Sequence, residues 1–244
     1  MKDYKLLIFL IFTLSNSIIT SQNMFGTVIF GIERINKSVP TEFSSSKDLI
    51  NLLDTGLQNI EYQLTFNNTE SNYNYIEKMD IDDDLGFKLA IAVSGGDGTK
   101  YVNSKTKEVL KQMYIDGTPY LIKSNLENLN WVLFNETKMI QKFLCFKAVV
   151  VVDVELKIGE VVKQNITVWY APKIPVNFGP DGYGGLPGLI LELNTPKTRT
   201  FIKSIKTSNA DIIEIIKPTK GKTVSPDEFR RINNKLILNY KKGA

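Results

Sequence analysis

Alternation of apolar and polar positions is the first thing the chain shows. In IEYQLTF, Ile60, Tyr62, Leu64 and Phe66 fall on one side and Glu61, Gln63 and Thr65 on the other. A period of two puts a continuous apolar face on an extended chain, so this stretch is expected as a half-buried antiparallel strand. MFGTVIFGIER (24–34), KYV (100–102), EVLKQMYI (108–115), YLIK (120–123) and NWVLF (130–134) read as further strands. Asp116-Gly117 lies between two of them and predicts a hairpin, because both turn positions must accept positive φ. The longest run is KFLCFKAVVVVDVEL (142–156), whose positions Leu144, Phe146, Ala148, Val150, Val152 and Val154 are all apolar. It predicts a central strand with one fully buried face. The segment around Gly159 turns it back into VVKQNITVWY (161–170), giving a long hairpin. A second hairpin is expected from LILEL (189–193) and RTFIKSIK (199–206), joined through NTPKT.

Two stretches switch to helical spacing. SSSKDLINLLDTGLQ places Leu49, Ile50, Leu53 and Leu57 on one face, with Ser45 and Asp48 as a capping box. SPDEFRRINNKLILNY starts with Ser225 as N-cap, Pro226 at the first helical position and Glu228 closing the box. Phe229, Ile232, Leu236 and Tyr240 line one face of that helix. Many antiparallel strands with few helices imply a β-dominated α+β fold. The expected form is a curved, half-barrel-like sheet with an N-terminal and a C-terminal helix packed on it. No repeat or long linker divides the chain, so residues 22–244 read as one domain.

Composition narrows the chemistry. The 244 residues carry a net charge of +4, with lysines scattered instead of clustered, so a nucleic-acid footprint is not expected. The chain has no histidine, which removes Ser-His-Asp and Cys-His catalysis and nearly all transition-metal sites. Neither cofactor nor metal is expected. Cys145 is the single cysteine, so no intramolecular disulfide can form, and its apolar surroundings make it a core residue. At the N-terminus, Lys2 and Lys5 precede a nine-residue apolar run, Leu6 to Leu14, and then small residues. This is the pattern of a secretory signal peptide, residues 1–21, cleaved after Ser21 and too short to span a membrane. The mature chain is therefore expected to be exported, with no transmembrane span.

Three motifs could carry function. GGDGT (Gly95 to Thr99) resembles the nucleotide-binding string of the diacylglycerol kinase and NAD kinase family, with LAIAV before it as the apolar strand. The TKYVNSKTKEV that follows reads as strand and turn where that family has a helix. Asp80, Asp82 and Asp84 alternate like the start of a calcium loop, but Leu85 and Ile91 occupy the positions where an EF-hand needs Gly and Glu. GPDGYGGLPGLILEL (179–193) concentrates five of the 16 glycines in ten positions. Pro187 breaks the dinucleotide fingerprint, and a strand follows where a helix is required. Leu186-Pro187-Gly188-Leu189 has Pro and Gly at the central positions of a type II turn, with Gly188 at positive φ. The extra glycines from Gly179 to Gly185 are expected to pack closely against a neighbouring strand or helix.

Gly185, Leu186, Pro187, Gly188, Leu189 and Ile190 spell GLPGLI. The chain resembles the GLPGLI family, secreted proteins of Gram-negative bacteria named for that string. Similar blocks surround Trp131 and Cys145, and run through Trp169, Tyr170, Pro175, Gly179 and Pro180. IIKPTKGKTVSPDEF extends the similarity toward the C-terminus, and the N-terminal third is less diagnostic. A departure is Gln141-Lys142-Phe143, where the family pattern has a glycine before the aromatic. The resemblance implies a location in the periplasm or on the cell surface. It also implies a link to outer-membrane uptake systems, and an architecture similar to lipoprotein-carrier folds. The function expected is a non-enzymatic binding or accessory protein, partnered by an outer-membrane protein. The alternatives are a carrier of an apolar ligand on the curved sheet and a nucleotide-using enzyme acting through GGDGT.

Overall fold

The computed structural model describes residues 24–35, 47–77, 85–95, 98–157, 159–208 and 214–243. The segment proposed as a signal peptide lies outside them, as do Asp80, Asp82 and Asp84. Twelve strands form one sheet: β1 Phe25–Arg34, β2 Glu61–Phe66, β3 Glu70–Tyr75, β4 Lys100–Asn103, β5 Glu108–Ile115 and β6 Thr118–Asn125, then β7 Val132–Ile140, β8 Phe143–Lys157, β9 Glu160–Ala171, β10 Leu189–Asn194, β11 Thr198–Ser208 and β12 Lys222–Val224. The helices are α1 Lys47–Asn59, α2 Leu85–Val93 and α3 Pro226–Gly243. The sheet order is β12-β6-β5-β4-β3-β2-β1-β11-β10-β9-β8-β7. All neighbours pair antiparallel except β12, which lies parallel to β6. The fold is thus β-dominated, an open curved sheet with helices, as the periodicities predict.

Curvature follows from what α3 touches. Its Phe229 ring meets Tyr120 of β6 at 5.8 Å, while Asn234 donates to Glu155 of β8 at 3.0 Å. Eight strands stand between β6 and β8 in the sheet order. In a flat sheet that separation is about 43 Å at ~4.8 Å per strand. Phe229 and Asn234 lie only about 7.5 Å apart along a helix. The sheet must therefore coil until its two halves approach. The capping box at the start of α3 is present: Glu228 N–H donates to Ser225 Oγ at 3.2 Å, and Ser225 N–H to Glu228 Oε2 at 2.8 Å.

The larger core forms where alternation predicted it. Ile60, Tyr62, Leu64 and Phe66 are all buried, and the register sets Val28 beside Leu64 and Phe30 beside Tyr62. α1 and α2 cover this side with Leu57, Phe87 and Ala90. They cross at Gly56, where a Cβ would stand 2.1 Å from the Gly86 carbonyl oxygen. The expected face of α1 is shifted: Leu57 is buried, whereas Leu49 is exposed. Arg34 fixes the helix by a two-pronged hydrogen bond to Asp54, at 2.8 Å on each side.

β8 corrects the single buried face expected of it. Phe143 and Cys145 enter the larger core, whereas Ala148 and Val150 enter a second cluster with Ile166, Val168 and Leu186. Leu144, assigned to the buried face from the sequence, is 48% exposed. The stretches on either side of Lys147 bury opposite faces of the strand. The other correction concerns LAIAV. It belongs to α2 and not to a strand. Its near-uniform apolarity hides the helical period, which shows in the burial of Gly86, Phe87 and Ala90. Among the described residues, no helix is long and apolar enough to cross a membrane.

Candidate functional site

Between β9 and β10 the glycine-rich segment folds back over the sheet. Ile174, Val176 and Phe178 are buried, alternating with exposed Pro175. A bridge between Phe178 and Gly184 closes the segment, and Gly185 N–H donates to the Asn177 carbonyl at 3.0 Å. At its tip, Tyr183 N–H donates to the Pro180 carbonyl at 3.1 Å and closes a tight turn, with Asp181 and Gly182 both left-handed at φ 56 and 79. This turn touches β3, β4 and β10. Trp131 clasps the far side: its indole Nε1–H donates to the Gly184 carbonyl at 2.9 Å, and its ring meets Tyr183 edge-on at 6.3 Å.

Two of the surplus glycines, Gly179 and Gly184, have the packing reasons expected, while Gly182 and Gly185 answer to positive φ. A Cβ on Gly179 would meet the Ile190 side chain at 2.6 Å, and one on Gly184 would meet the Asn177 carbonyl oxygen at 2.4 Å. Gly185 is required by its φ of 85 alone, since open space surrounds it. Gly188 overturns the type II turn. Its φ is not positive, and its N–H donates to the Leu186 carbonyl two residues back at 2.8 Å, a tight turn about Pro187. What demands glycine there is contact: a Cβ would stand 2.5 Å from the Ala171 carbonyl oxygen. Leu186, Leu189 and Ile190 are each buried, and Pro187 is exposed.

Beneath the tip lies a buried charge. Lys100 of β4 is 1% exposed, and its Nζ stands 2.6 Å from Asp181 Oδ1, whose side chain is 37% exposed. Tyr62 and Tyr73 stack face to face at 4.9 Å beside it, with Lys100 Nζ 5.6 and 5.3 Å from the ring centres. Burial, Asp181 and Tyr62 push the Tyr73 phenol well above its ordinary range. Lys111, opposite Lys100 across β4 and β5, is held below the ordinary lysine range by burial, with Asp181 opposing the shift. Tyr62 Oη and Ser94 Oγ share a hydrogen bond of 2.6 Å, which ties the end of α2 to the same cluster. One carboxylate thus faces two lysines under a clasped loop.

A second buried charge lies on β10. Glu192 is 3% exposed and receives Lys138 at 2.7 Å, Arg199 at 2.9 Å and Asn194 at 2.9 Å. Burial works to raise its carboxyl, but these three donors hold it below the usual carboxylate range. Lys138 also sits 4.4 Å over the Trp169 ring. Cys145, the strand partner of Lys138, is fully buried, and burial pushes its thiol up to about 11. Tyr170 is buried in the second core cluster.

Most motif residues fall into two groups, with Tyr170 in the second core cluster and Pro175 exposed outside both. Trp131, Gly179, Pro180 and Gly185 to Ile190 meet around the loop, while Cys145 and Trp169 adjoin the Glu192 network. No motif or periodicity in the sequence singles out Lys100, Asp181 or Glu192. Two weaker signals exist: a lysine in phase with Val102 on an apolar strand face, and a glutamate inside the otherwise apolar LILEL. GGDGT has the reverse context of a phosphate cradle, with helix α2 before it and strand β4 after it. Gly95 follows the helix at φ 103, and a Cβ on Gly98 would stand 2.0 Å from the Gln112 carbonyl oxygen. Gly96 and Asp97 lie outside the described residues.

A family model described as a protein of unknown function (Porph_ging) matches residues 157–192, the stretch from the β8–β9 turn through the glycine loop. No curated protein matches the sequence. Two solved structures of PNGF-II, in space groups C2 and P21, are similar to the chain, each with a TM-score of 0.53, at 14% and 15% identity. They cover 86% and 87% of this chain, which spans about a third of theirs, 32% and 33%. At that identity the likeness is one of fold. LprF from Mycobacterium bovis overlaps 79% of this chain and 88% of its own at 7% identity, with a TM-score of 0.27 that bears no inference.

Proposed function

We propose that this chain is an exported GLPGLI-type protein of the Gram-negative envelope that works by binding a protein partner. The observation that carries this reading is the division between a tied interior and an open edge. The signature loop is consumed by internal contacts, and its Asp181, like Glu192 of β10, is ion-paired to lysine or arginine from other strands. At the other extreme, β7 ends the sheet with Val132, Leu133, Phe134 and Met139 exposed at 58, 56, 38 and 61%. An edge strand offers one row of N–H and C=O groups to an incoming strand, and exposed apolar side chains favour such addition. An outer-membrane protein presenting an extended segment fits that edge. The match over residues 157–192 supports the family reading in its coarser form.

A photo-reactive group placed at Leu133 in the native envelope is expected to cross-link to an outer-membrane protein. The same group on the α3 face, at Leu238, is expected not to. Adducts from Leu238 and none from Leu133 refute the edge. Carriage of an apolar ligand draws less support. Phe178, Leu186 and Leu189 already occupy the space such a ligand would need against the sheet. Stoichiometric lipid in organic extracts of the purified protein would reverse that preference.

A further inference from the structure

On the side of β2–β5 away from Lys100 lies a pocket of about 370 Å³ that belongs to neither charge network. Its floor is made of neutral amides and hydroxyls: Asn72 and Asn74 from β3, Thr99 before β4 and Gln112 from β5. Ile215 and Pro218 form an apolar wall, from the strap that leads into β12. Asn72 is 9% exposed, and its Nδ2 donates to the Ile216 carbonyl at 2.7 Å. A carbonyl only accepts, so this bond fixes which end of the amide is oxygen. Asn72 Oδ1 and Asn74 Oδ1 are both withdrawn from bulk water, and neither receives a hydrogen bond from the described residues. Buried acceptors are normally satisfied, and two unsatisfied ones in the lining of one pocket ask for donors.

We infer that this pocket binds a small neutral polyol of the sugar class. A turn of Asn74 about its soft terminal torsion presents its carboxamide oxygen to a ligand hydroxyl, while Asn72, held by Ile216, stays in the floor. The Gln112 amide and Thr99 hydroxyl offer complementary groups, and the C–H face of a sugar ring suits Ile215 and Pro218. The lining holds a single charged side chain, Glu214, which is exposed, so a neutral ligand loses no ion pair on entering. The size is that of a pocket for one or two sugar rings.

The test uses the full mature chain and four probes, glucose, galactose, mannose and N-acetylglucosamine, by saturation-transfer NMR and calorimetry. At least one sugar is expected to bind, and Asn74→Leu is expected to weaken it about tenfold, one hydrogen bond's worth. Gln112→Leu serves as a second variant on another strand, with its fold checked by thermal melting. Calcium chloride is titrated in parallel, because two carboxamide oxygens and a carboxylate also suit a hard cation. Saturation transfer from a sugar, lost in a folded variant, supports the inference. No transfer from any of the four, transfer unchanged in both variants, or heat with calcium alone overturns it. A crystal structure of sugar-soaked protein with water alone on both asparagines overturns it as well.

Discussion

Asp181→Asn and Lys100→Met remove the same ion pair from opposite ends, and the two should not cost the same. Asparagine keeps the shape of the side chain and tolerates the left-handed backbone at φ 56, so the first variant isolates the charge. At 2.6 Å and an effective dielectric of about 20 the gross attraction is about 6 kcal/mol, most of it offset by desolvation. What remains depends on which partner is left behind. Lys100 is 1% exposed and cannot regain water, so Asp181→Asn strands a buried ammonium and costs about 3 kcal/mol. Asp181 is 37% exposed and still faces Lys111, so Lys100→Met costs about 1 kcal/mol. For a chain of this size the first corresponds to a Tm lowered by roughly 6–12 °C, the second to a few degrees. The double variant should recover most of the loss, since it strands nothing. Urea and thermal unfolding of the four proteins give the cycle. Equal losses in the two single variants, or a larger loss for Lys100→Met, would refute the argument from exposure.

Gly188→Ala should cost about 2–3 kcal/mol by forcing a Cβ against the Ala171 carbonyl. Gly188→Asn should be no milder, because the demand is for space; Gly185→Asn should be nearly neutral, because there the demand is for positive φ. A denaturation series in which Gly188 tolerates Asn would restore the type II turn. Cys145 should resist iodoacetamide in the native state at pH 8, since its thiol ionises near 11, and react fully in urea; rapid native labelling seen by mass spectrometry would contradict its burial. Glu192 has a carboxyl held below its unfolded value, so its stabilisation is complete above about pH 4.3 and is lost as pH falls through the lower folded value. Glu192→Gln should therefore narrow the gap between stability at pH 6 and at pH 3, measured by urea unfolding, and an unchanged gap would exclude it as a source of acid sensitivity.

Gln141-Lys142-Phe143 lies where β7 turns into β8. Gln141 sits in the turn between β7 and β8 at φ 51, in the left-handed region where glycine is unstrained. Its side-chain amide donates to the Lys203 carbonyl at 3.2 Å, a contact glycine cannot make.

Local patterns were enough to determine every strand but β3 and β12, because alternation, turn residues and caps act over a few positions. The face of β2, the hairpins at Asp116-Gly117 and around Gly159, and the capping box of α3 all needed no distant partner. The sequence alone also rejected the phosphate-loop reading of GPDGYGG, from Pro187 and the strand after it. Tertiary structure decided the rest wherever a residue's meaning lay in what it meets across the sheet. α2 looked like a strand because its apolarity is nearly uniform, and β8 looked one-faced because its even positions are all apolar, although Phe143 and Cys145 of the other face are buried too. Gly188 matched a turn signature, yet its reason is the Ala171 carbonyl from β9. Lys100 and Asp181 stand far apart along the chain, and only the coiling of the sheet brings the loop onto β4. A buried ion pair is a property of three-dimensional proximity and lost solvent, and neither has a local period for a sequence to display.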